Sequence, residues 1–480
     1  MKLSRRECLQ IGLGGAAIGF AAGCAPLAAR LTKRDDLTVA LPAGPTDPEV
    51  RLLNRIGFGP RPGDISKLAR QGKESFVDEC LAAKNPEPLS LAMQLHRLDA
   101  LQIDAYELRD LPEDTVLSQL QQAALLRAAH GENPLLERMV DFWTNHFNVY
   151  GRKGLAAFRK GRDETLVVRQ HALGKFPDML RASTQSAAML VYLDNQLNRK
   201  GIPNENYARE LMELHSLGVH GGYTQHDVQE VARCLSGWTM ETTWPRNRGR
   251  IKFDASLHDT GSKTVLGHQI PAGGGATDLD RVIKILCAHP ACAHYISTKL
   301  CRYLLGSGPE ATHWVEPTAK VFTETGGDIR AMIRPILLSE DLIRSTPIMK
   351  RPFDLAITSI RVLGGITDGG RPLQDHLQKM GQPLYQWPMP DGYPDRTSAW
   401  AGSMLPRWNF AMALGLERIP GTSIDSDQIA KLGPDKIFEL THGRRPGSSD
   451  DPILKTLRSL ASQPAVMASV AIASPALQWR

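Results

Sequence analysis

Glu210 is a carboxylate that the sequence places on the apolar side of a helix. In the stretch 203–217, apolar residues recur at the spacing of one helix face, and Glu210 falls within that face. A buried carboxylate needs an ion-pair partner or a raised pKa, and a raised pKa suits a general acid. We therefore expect Glu210 either to donate protons in catalysis or to form a structural salt bridge with a buried arginine such as Arg169 or Arg233.

A second polar group on an apolar helix face is His146. It lies in the helix that opens at Asn133-Pro134 and contains FWTNHF at 142–147. One reading is a neutral core imidazole bonded to a backbone carbonyl, and the other is a metal ligand or a general acid/base. In the second reading a divalent metal is held by His146 and nearby carboxylates.

Asp194 is the third candidate catalytic residue, because it ends a helix shortly before Asn204 and so could lie near Glu210. The alternative for Asp194 is a structural Asx turn. The seven cysteines form no CxxC motif, and the histidines and cysteines near residue 290 match no zinc spacing. The identity of any metal is therefore left open.

Aromatic side chains alternate with prolines in the segment 381–400. A loop of this kind can simply cover the edge of a core, but flat aromatic faces also suit sugar rings, and prolines lower the entropy lost on binding. The candidate substrate-binding residues for a glycan are Tyr385, Trp387, Tyr393 and Trp400.

The elements that must position these side chains are helices. Asn204 is a suitable N-cap and Gly218 a suitable stop for the Glu210 helix, and Thr224 and Asp227 have capping-box spacing for the next one. No alternation of strands and helices indicates a parallel sheet. We expect a mainly α fold, a large multi-helical single domain over 47–480 with a small β-hairpin insertion at about 251–270.

The amino-terminal residues predict export. Ser4-Arg5-Arg6-Glu7-Cys8-Leu9 and the short apolar run after it resemble a twin-arginine signal over 1–23, followed by a tether over 24–46. Ala21-Ala22-Gly23-Cys24 resembles a lipoprotein cleavage box, so Cys24 is the expected lipidation site; the alternative is a plain cleaved signal. We expect a periplasmic protein that contacts a membrane only through a lipid anchor.

The charge balance argues against one class of partner. The 480 residues carry a formal net charge of +6, and this is too mild to indicate nucleic-acid binding. The segment 244–250 is basic and contains Gly and Pro, and we interpret it as a solvated turn or, alternatively, as the rim of an anion-binding site.

Five segments resemble a known family. The first segment is 204–239, which contains the runs NENYARELMELHSLGV and GGYTQHDVQEVARCLSGWT. The other four are FWTNHF at 142–147, HDTGSKTVLG at 258–267, AHPACAHYISTKL at 288–300 and GQPLYQWPMPDGYP at 381–394. Together they resemble the bacterial domain-of-unknown-function family numbered 1800. The resemblance implies an exported, mostly helical protein, often encoded beside a second exported family that resembles sulfatases and alkaline phosphatases. It implies no reaction, so no catalytic residue is carried over from it.

Two functions follow as expectations. The first is a hydrolase acting on an extracellular polymer or its substituents, with Glu210 as general acid and a second carboxylate or a metal-bound water as its partner. The second is a non-catalytic accessory protein that binds substrate or the co-exported sulfatase-like protein through the aromatic loop.

Overall fold

Helices dominate the chain, as predicted. The computed structural model describes residues 47–241, 249–444 and 451–480. Within these ranges 24 α-helices are present. The first twelve are α1 (Pro48–Ile56), α2 (Asp64–Gln71), α3 (Lys73–Ala82), α4 (Leu89–His96), α5 (Asp99–Gln102), α6 (Glu113–His130), α7 (Pro134–His146), α8 (Ala157–Asp163), α9 (Phe176–Thr184), α10 (Ala187–Tyr192), α11 (Glu205–Glu213) and α12 (Gln225–Cys234).

The second half of the chain continues in the same way. Its helices are α13 (Thr277–Ala288), α14 (Pro290–Leu305), α15 (Pro309–Thr325), α16 (Ile329–Leu338), α17 (Asp341–Arg344), α18 (Pro352–Val362), α19 (Arg371–Lys379), α20 (Ser398–Ala401), α21 (Met404–Gly415), α22 (Ser426–His442), α23 (Pro452–Ser459) and α24 (Pro464–Ala473). A π-helix, Glu164–Arg169, extends α8, and short 3₁₀ turns occur at Glu107–Asp110, Asn195–Leu197 and Ala476–Gln478.

The strands of the described residues form three two-stranded antiparallel sheets. They are β1 (Trp238–Met240) with β2 (Ile251–Phe253), β3 (Lys263–Val265) with β4 (His268–Ile270), and β5 (Ile366–Thr367) with β6 (Thr422–Ser423). The insertion predicted at 251–270 is thus present, but its first strand pairs backward with β1 and only the remainder forms a hairpin of its own.

The capping residues correctly predicted where α11 and α12 begin, but the predicted end of α11 is wrong. Thr224 and Asp227 form the expected capping box, and the Asn204 side chain accepts the Asn206 amide at the start of α11. The helix ends at Glu213 instead of reaching residue 217, because the His215 amide donates to the Glu210 carbonyl and widens the last turn. Gly218, with φ of 82°, then reverses the chain.

Two apolar cores are joined by buried charges. The first contains residues of α1 to α3, α7 and α9 to α17, and the second is built around α6, α18, α19 and α21 to α24. A third, much smaller cluster lies between α4 and α6. Between α7 and the start of α18 lies a charged layer, which consists of Arg138, Asp141, Arg351 and Asp354. Arg138 donates to Asp354, and Arg351 pairs with Asp141 and lies 3.6 Å from Asp354.

Two further observations concern the described residues as a whole. No described helix combines the length and the apolar character needed to cross a bilayer. The described cysteines all carry free thiols; they are Cys80, Cys234, Cys287, Cys292 and Cys301. The predicted signal, the tether and Cys24 lie outside the described residues.

Candidate functional site

Glu210 has no side-chain partner among the described residues. Its carboxylate is half-buried at the edge of the apolar face of α11 and makes no hydrogen bond or ion pair there. The salt-bridge alternative with Arg169 or Arg233 is wrong. Arg169 instead forms a two-pronged pair with Glu137 at 2.7 and 2.8 Å, and Arg233 holds Asp259 at 2.9 and 3.0 Å.

Four segments contribute polar groups to the surroundings of this carboxylate. α11 contributes Glu210 and Glu213, the turn before α12 contributes Tyr223, the aromatic loop contributes carboxylates, and α14 contributes a tyrosine and a lysine. Burial raises the pKa of the Glu210 carboxyl, and the negative charges of Glu213 and Asp391 raise it further against the opposing effect of Arg209. We name this surface the Glu210 face, and it consists of Glu210, Glu213, Tyr223, Tyr295, Lys299, Asp391 and Asp395.

Lys299 is the cation of the Glu210 face. Burial lowers the pKa of its amine to about 8, although the neighbouring Asp395 and Asp391 act in the opposite direction. Its amine makes no hydrogen bond or ion pair with a described residue, and it lies 5.6 Å from the centre of the Tyr295 ring. The charge of Asp391 acts on both groups, on the carboxyl of Glu210 and on the amine of Lys299. Titratable groups with shifted pKa values that share a charged neighbour are frequent at active sites.

His146 occupies the environment expected of a core imidazole. It is 2% exposed, and its Nε2 lies 3.1 Å from the carbonyl oxygen of His215. Because a carbonyl only accepts, Nε2 carries the proton. Burial, with Lys299 and His215 nearby, lowers the pKa of His146 well below its ordinary value. His146 is therefore neutral and packed among aromatic rings.

His215 is a buried polar group that sequence reasoning missed. It is fully buried, neither ring nitrogen has a hydrogen-bond partner, and its ring centre is 6.1 Å from that of His146. The two imidazoles form no metal centre with carboxylates. Within the described ranges no group of three or more His, Cys, Asp or Glu side chains is arranged to hold a metal ion.

The Asp194 side chain pairs with a lysine, whereas the sequence suggested Glu210 as its neighbour. Its carboxylate binds the Lys153 amine at 2.7 Å, its backbone adopts φ of 59°, and its carbonyl accepts from the Asn204 side chain at 2.9 Å. The carboxylates that act on Glu210 are Glu213 and Asp391. The residue that the structure brings beside Glu210 is thus Asp391 from the aromatic loop.

The aromatic loop divides its side chains between the interior and the surface. Tyr385, Tyr393 and Trp400 are buried, and the Tyr393 hydroxyl and the Trp400 indole donate to backbone carbonyls of the same loop. Trp387 is half-buried and donates its indole N–H to the Asp391 carboxylate at 3.1 Å. Of the four candidate binding residues, Trp387 is the one placed directly against the Glu210 face.

A small cavity of about 50 Å³, lined by both apolar and charged side chains, lies behind the loop. The Tyr385 side chain lines this cavity, and its hydroxyl donates to Glu164. The backbone of Tyr385 has a positive φ of 61°, which is rare for a bulky residue. The π-helix turns Glu164 toward Arg169, whose other partner is Glu137. The charges of Glu137, Glu164 and Arg169 are thus paired with one another. The volume of the cavity is enough for water or one very small molecule. A positive φ and a π-turn leave no signal in the sequence.

Ser236, His258 and Asp278 contact one another in series in the interior near β3. Ser236 Oγ is 3.3 Å from His258 Nδ1, and His258 Nε2 is 3.3 Å from Asp278. The Ser236 hydroxyl, however, donates to the Arg233 carbonyl at 2.6 Å, and Asp278 binds Lys263 at 2.7 Å. The three residues are at most 1% exposed. The arrangement is therefore a structural network and lacks an accessible nucleophile.

Fold and site together define the class of protein. It is a large helical protein with two main apolar cores and buried ion pairs between them. The Glu210 face, next to the aromatic loop, is its accessible cluster of carboxylates. The chain belongs to the DUF1800 family, described as a protein of unknown function, whose model matches residues 51–479. No curated protein and no solved structure matches the chain. Four of the five segments that carry the resemblance contribute residues to the Glu210 face or to the histidines beneath it.

Proposed function

We propose that this protein is an exported hydrolase that cleaves a polysaccharide, with Glu210 as general acid and Asp391 as the second carboxylate. The observation that carries the proposal is the state of Glu210. It is a half-buried carboxyl without a hydrogen-bond or ion-pair partner among the described residues, its pKa is raised by burial, and the negative charge of Asp391 raises it further. Structural carboxylates are normally paired, as those of the charged layer are.

The chemistry needs one proton delivered and one removed. Glu210 donates its proton to the glycosidic oxygen as the bond from that oxygen to the sugar carbon breaks. Asp391 takes a proton from a water molecule, whose oxygen forms the new bond to the same carbon. Lys299 supplies positive charge near Asp391 and Asp395.

The neighbourhood of Asp391 favours a glycan as the substrate. Trp387 bonds the Asp391 carboxylate and packs on Tyr393 with ring centres 5.0 Å apart. Its half-buried indole is therefore held in place rather than free to rotate. A sugar ring stacked on this indole would bring its glycosidic oxygen toward the two carboxylates.

The test is turnover of soluble polysaccharides by matched variants. Glu210→Gln is expected to lower kcat by about 100-fold or more, because it keeps the shape and removes the acid. Glu205→Gln is the control, since Glu205 lies on the same helix in an ordinary ion pair with Arg209 at 3.4 Å. Full turnover by a folded Glu210→Gln protein would reject the proposal.

A second, non-catalytic function is favoured by one helix. α21 exposes Leu405, Trp408 and Met412, at 64%, 48% and 43%, on one side of the helix. Such a stripe suits an accessory protein that docks on its co-exported sulfatase-like neighbour. In that case Trp408→Ala abolishes co-purification of the two proteins, while Glu210→Gln leaves it unchanged.

A further inference from the structure

We infer a separate anion-binding site, which takes a tetrahedral oxyanion such as a phosphate or sulfate group. The site is a cavity of about 260 Å³ between α8, the start of α10 and β2. Three arginines line it, Arg159 and Arg162 from α8 and Arg250 from the segment before β2. The volume is just below the range of drug-sized pockets, so it suits one small molecule or one charged substituent.

Arg159 is the residue that points to a ligand. It is 7% exposed, and its Nη1 donates to the Leu155 carbonyl at 2.8 Å. Its Nε has no hydrogen-bond partner, and no described carboxylate forms an ion pair with it. A buried guanidinium with free N–H groups is costly unless an anion satisfies them.

The carboxylates that line the cavity do not neutralise the arginines. Asp163 already accepts from the Lys160 amine at 2.6 Å and from the Ser186 hydroxyl at 2.5 Å. Asp104 lies 3.8 Å from Arg162, which is a loose contact at the surface. The cavity therefore keeps an excess of positive charge at Arg159 and Arg250.

The donor set matches an oxyanion better than a neutral ligand. Guanidinium groups present paired N–H donors that fit two oxygens of a phosphate or sulfate at once. Burial lowers the pKa of Arg159, Arg109 acts in the same direction, and Asp104 opposes them. A bound anion would offset both the burial of the Arg159 charge and its repulsion by Arg109. Residues 244–248 of the basic segment lie outside the described residues, and Arg250 is its member that lines this cavity.

The experiment is calorimetric titration of the full chain with inorganic phosphate and, separately, with inorganic sulfate, at constant ionic strength set by sodium chloride. We expect saturable binding of one or both anions. The double variant Arg162→Ala with Arg250→Ala is expected to weaken binding at least tenfold and to fold normally, because both side chains are exposed. Arg159→Gln tests the buried donor directly.

The control is Arg302→Ala, which removes an exposed arginine of α14 outside the cavity. Its affinity is expected to equal that of the unaltered protein. Absence of saturable binding for both anions, or equal binding by all three variants, would overturn the inference. The test is independent of the hydrolase proposal, because Glu210→Gln leaves this cavity untouched.

Discussion

Asn145 and Tyr393 exchange a pair of hydrogen bonds. The Asn145 side-chain amide donates to the Tyr393 carbonyl at 3.0 Å, and the Tyr393 amide donates to Asn145 Oδ1 at 2.7 Å. This clamp ties the aromatic loop to α7 one residue after Gly392. A Cβ at Gly392 would collide with the Asn145 carbonyl, and its φ is 76°. The position of Asp391 beside Glu210 therefore depends on a glycine and an asparagine.

Substitution of Gly392 by alanine is the first prediction. Gly392→Ala is expected to destabilise the protein by about 1–3 kcal/mol and to lower hydrolysis, because the loop must move away from Asn145. Gly402→Ala is the control, since Gly402 has φ of −72° and free space around it. Urea unfolding measures the difference. Equal stability of the two variants would show that the clamp does not position the loop.

The second prediction concerns acid sensitivity. Burial and the nearby Lys299 lower the pKa of His215 to about 3, against about 6.5 in the unfolded chain. Between these values the unfolded chain binds a proton that the folded protein does not. Stability is therefore lost as pH falls below 6.5, by about 1.4 kcal/mol per pH unit for this group.

His215→Phe is expected to reduce the slope of unfolding free energy against pH by that amount. Urea unfolding at pH 7.5, 6.0 and 5.0 provides the slope, and the value at pH 7.5 isolates any change in packing. An unchanged slope would mean that His215 is protonated in the folded protein.

The charged layer provides the third prediction. Asp354 is fully buried between Arg138 and Arg351, and their positive charges hold the pKa of its carboxyl well below its usual range in spite of burial. Asp354→Asn is expected to cost about 3–5 kcal/mol, because the arginines stay buried without compensation. Asp435→Asn is the matched control. Asp435 pairs with Arg458 at 2.8 Å, both side chains are exposed, and the pair contributes little to the free energy of unfolding. Similar effects of the two changes would contradict the role of the layer.

The fourth prediction concerns localisation. We propose that the protein is exported to the periplasm and anchored through Cys24. Cys24→Ser is expected to move it from the membrane fraction to the soluble periplasmic fraction. The same distribution before and after the substitution would exclude a lipid anchor at this residue.

Features set by neighbours in sequence could be predicted, and features set by distant contacts could not. The capping box of Thr224 and Asp227 and the mainly helical fold depend on short-range patterns, and the structure confirms both. The half-burial of Glu210 also follows from its place on α11. Its actual neighbour, Asp391, is about 180 residues away, and no local pattern brings the two together.

One missed residue shows where the helical pattern fails. The sequence predicted a helix to residue 217, which leaves His215 as an unremarkable position of that helix. The chain leaves helical geometry after Glu213, and the wider turn directs the imidazole into the aromatic cluster around Phe147, 5.2 Å from that ring.

The joining of two apolar cores by the charged layer has a consequence for cooperativity. Apolar contacts tolerate small displacements, whereas the Arg138 and Asp354 pair holds only in one arrangement. We therefore expect the layer to couple the loss of one core to the loss of the other, so that both melt in one transition. Weakening the layer is then expected to convert a single calorimetric peak into two, one for the core of α7 and one for the core of α18.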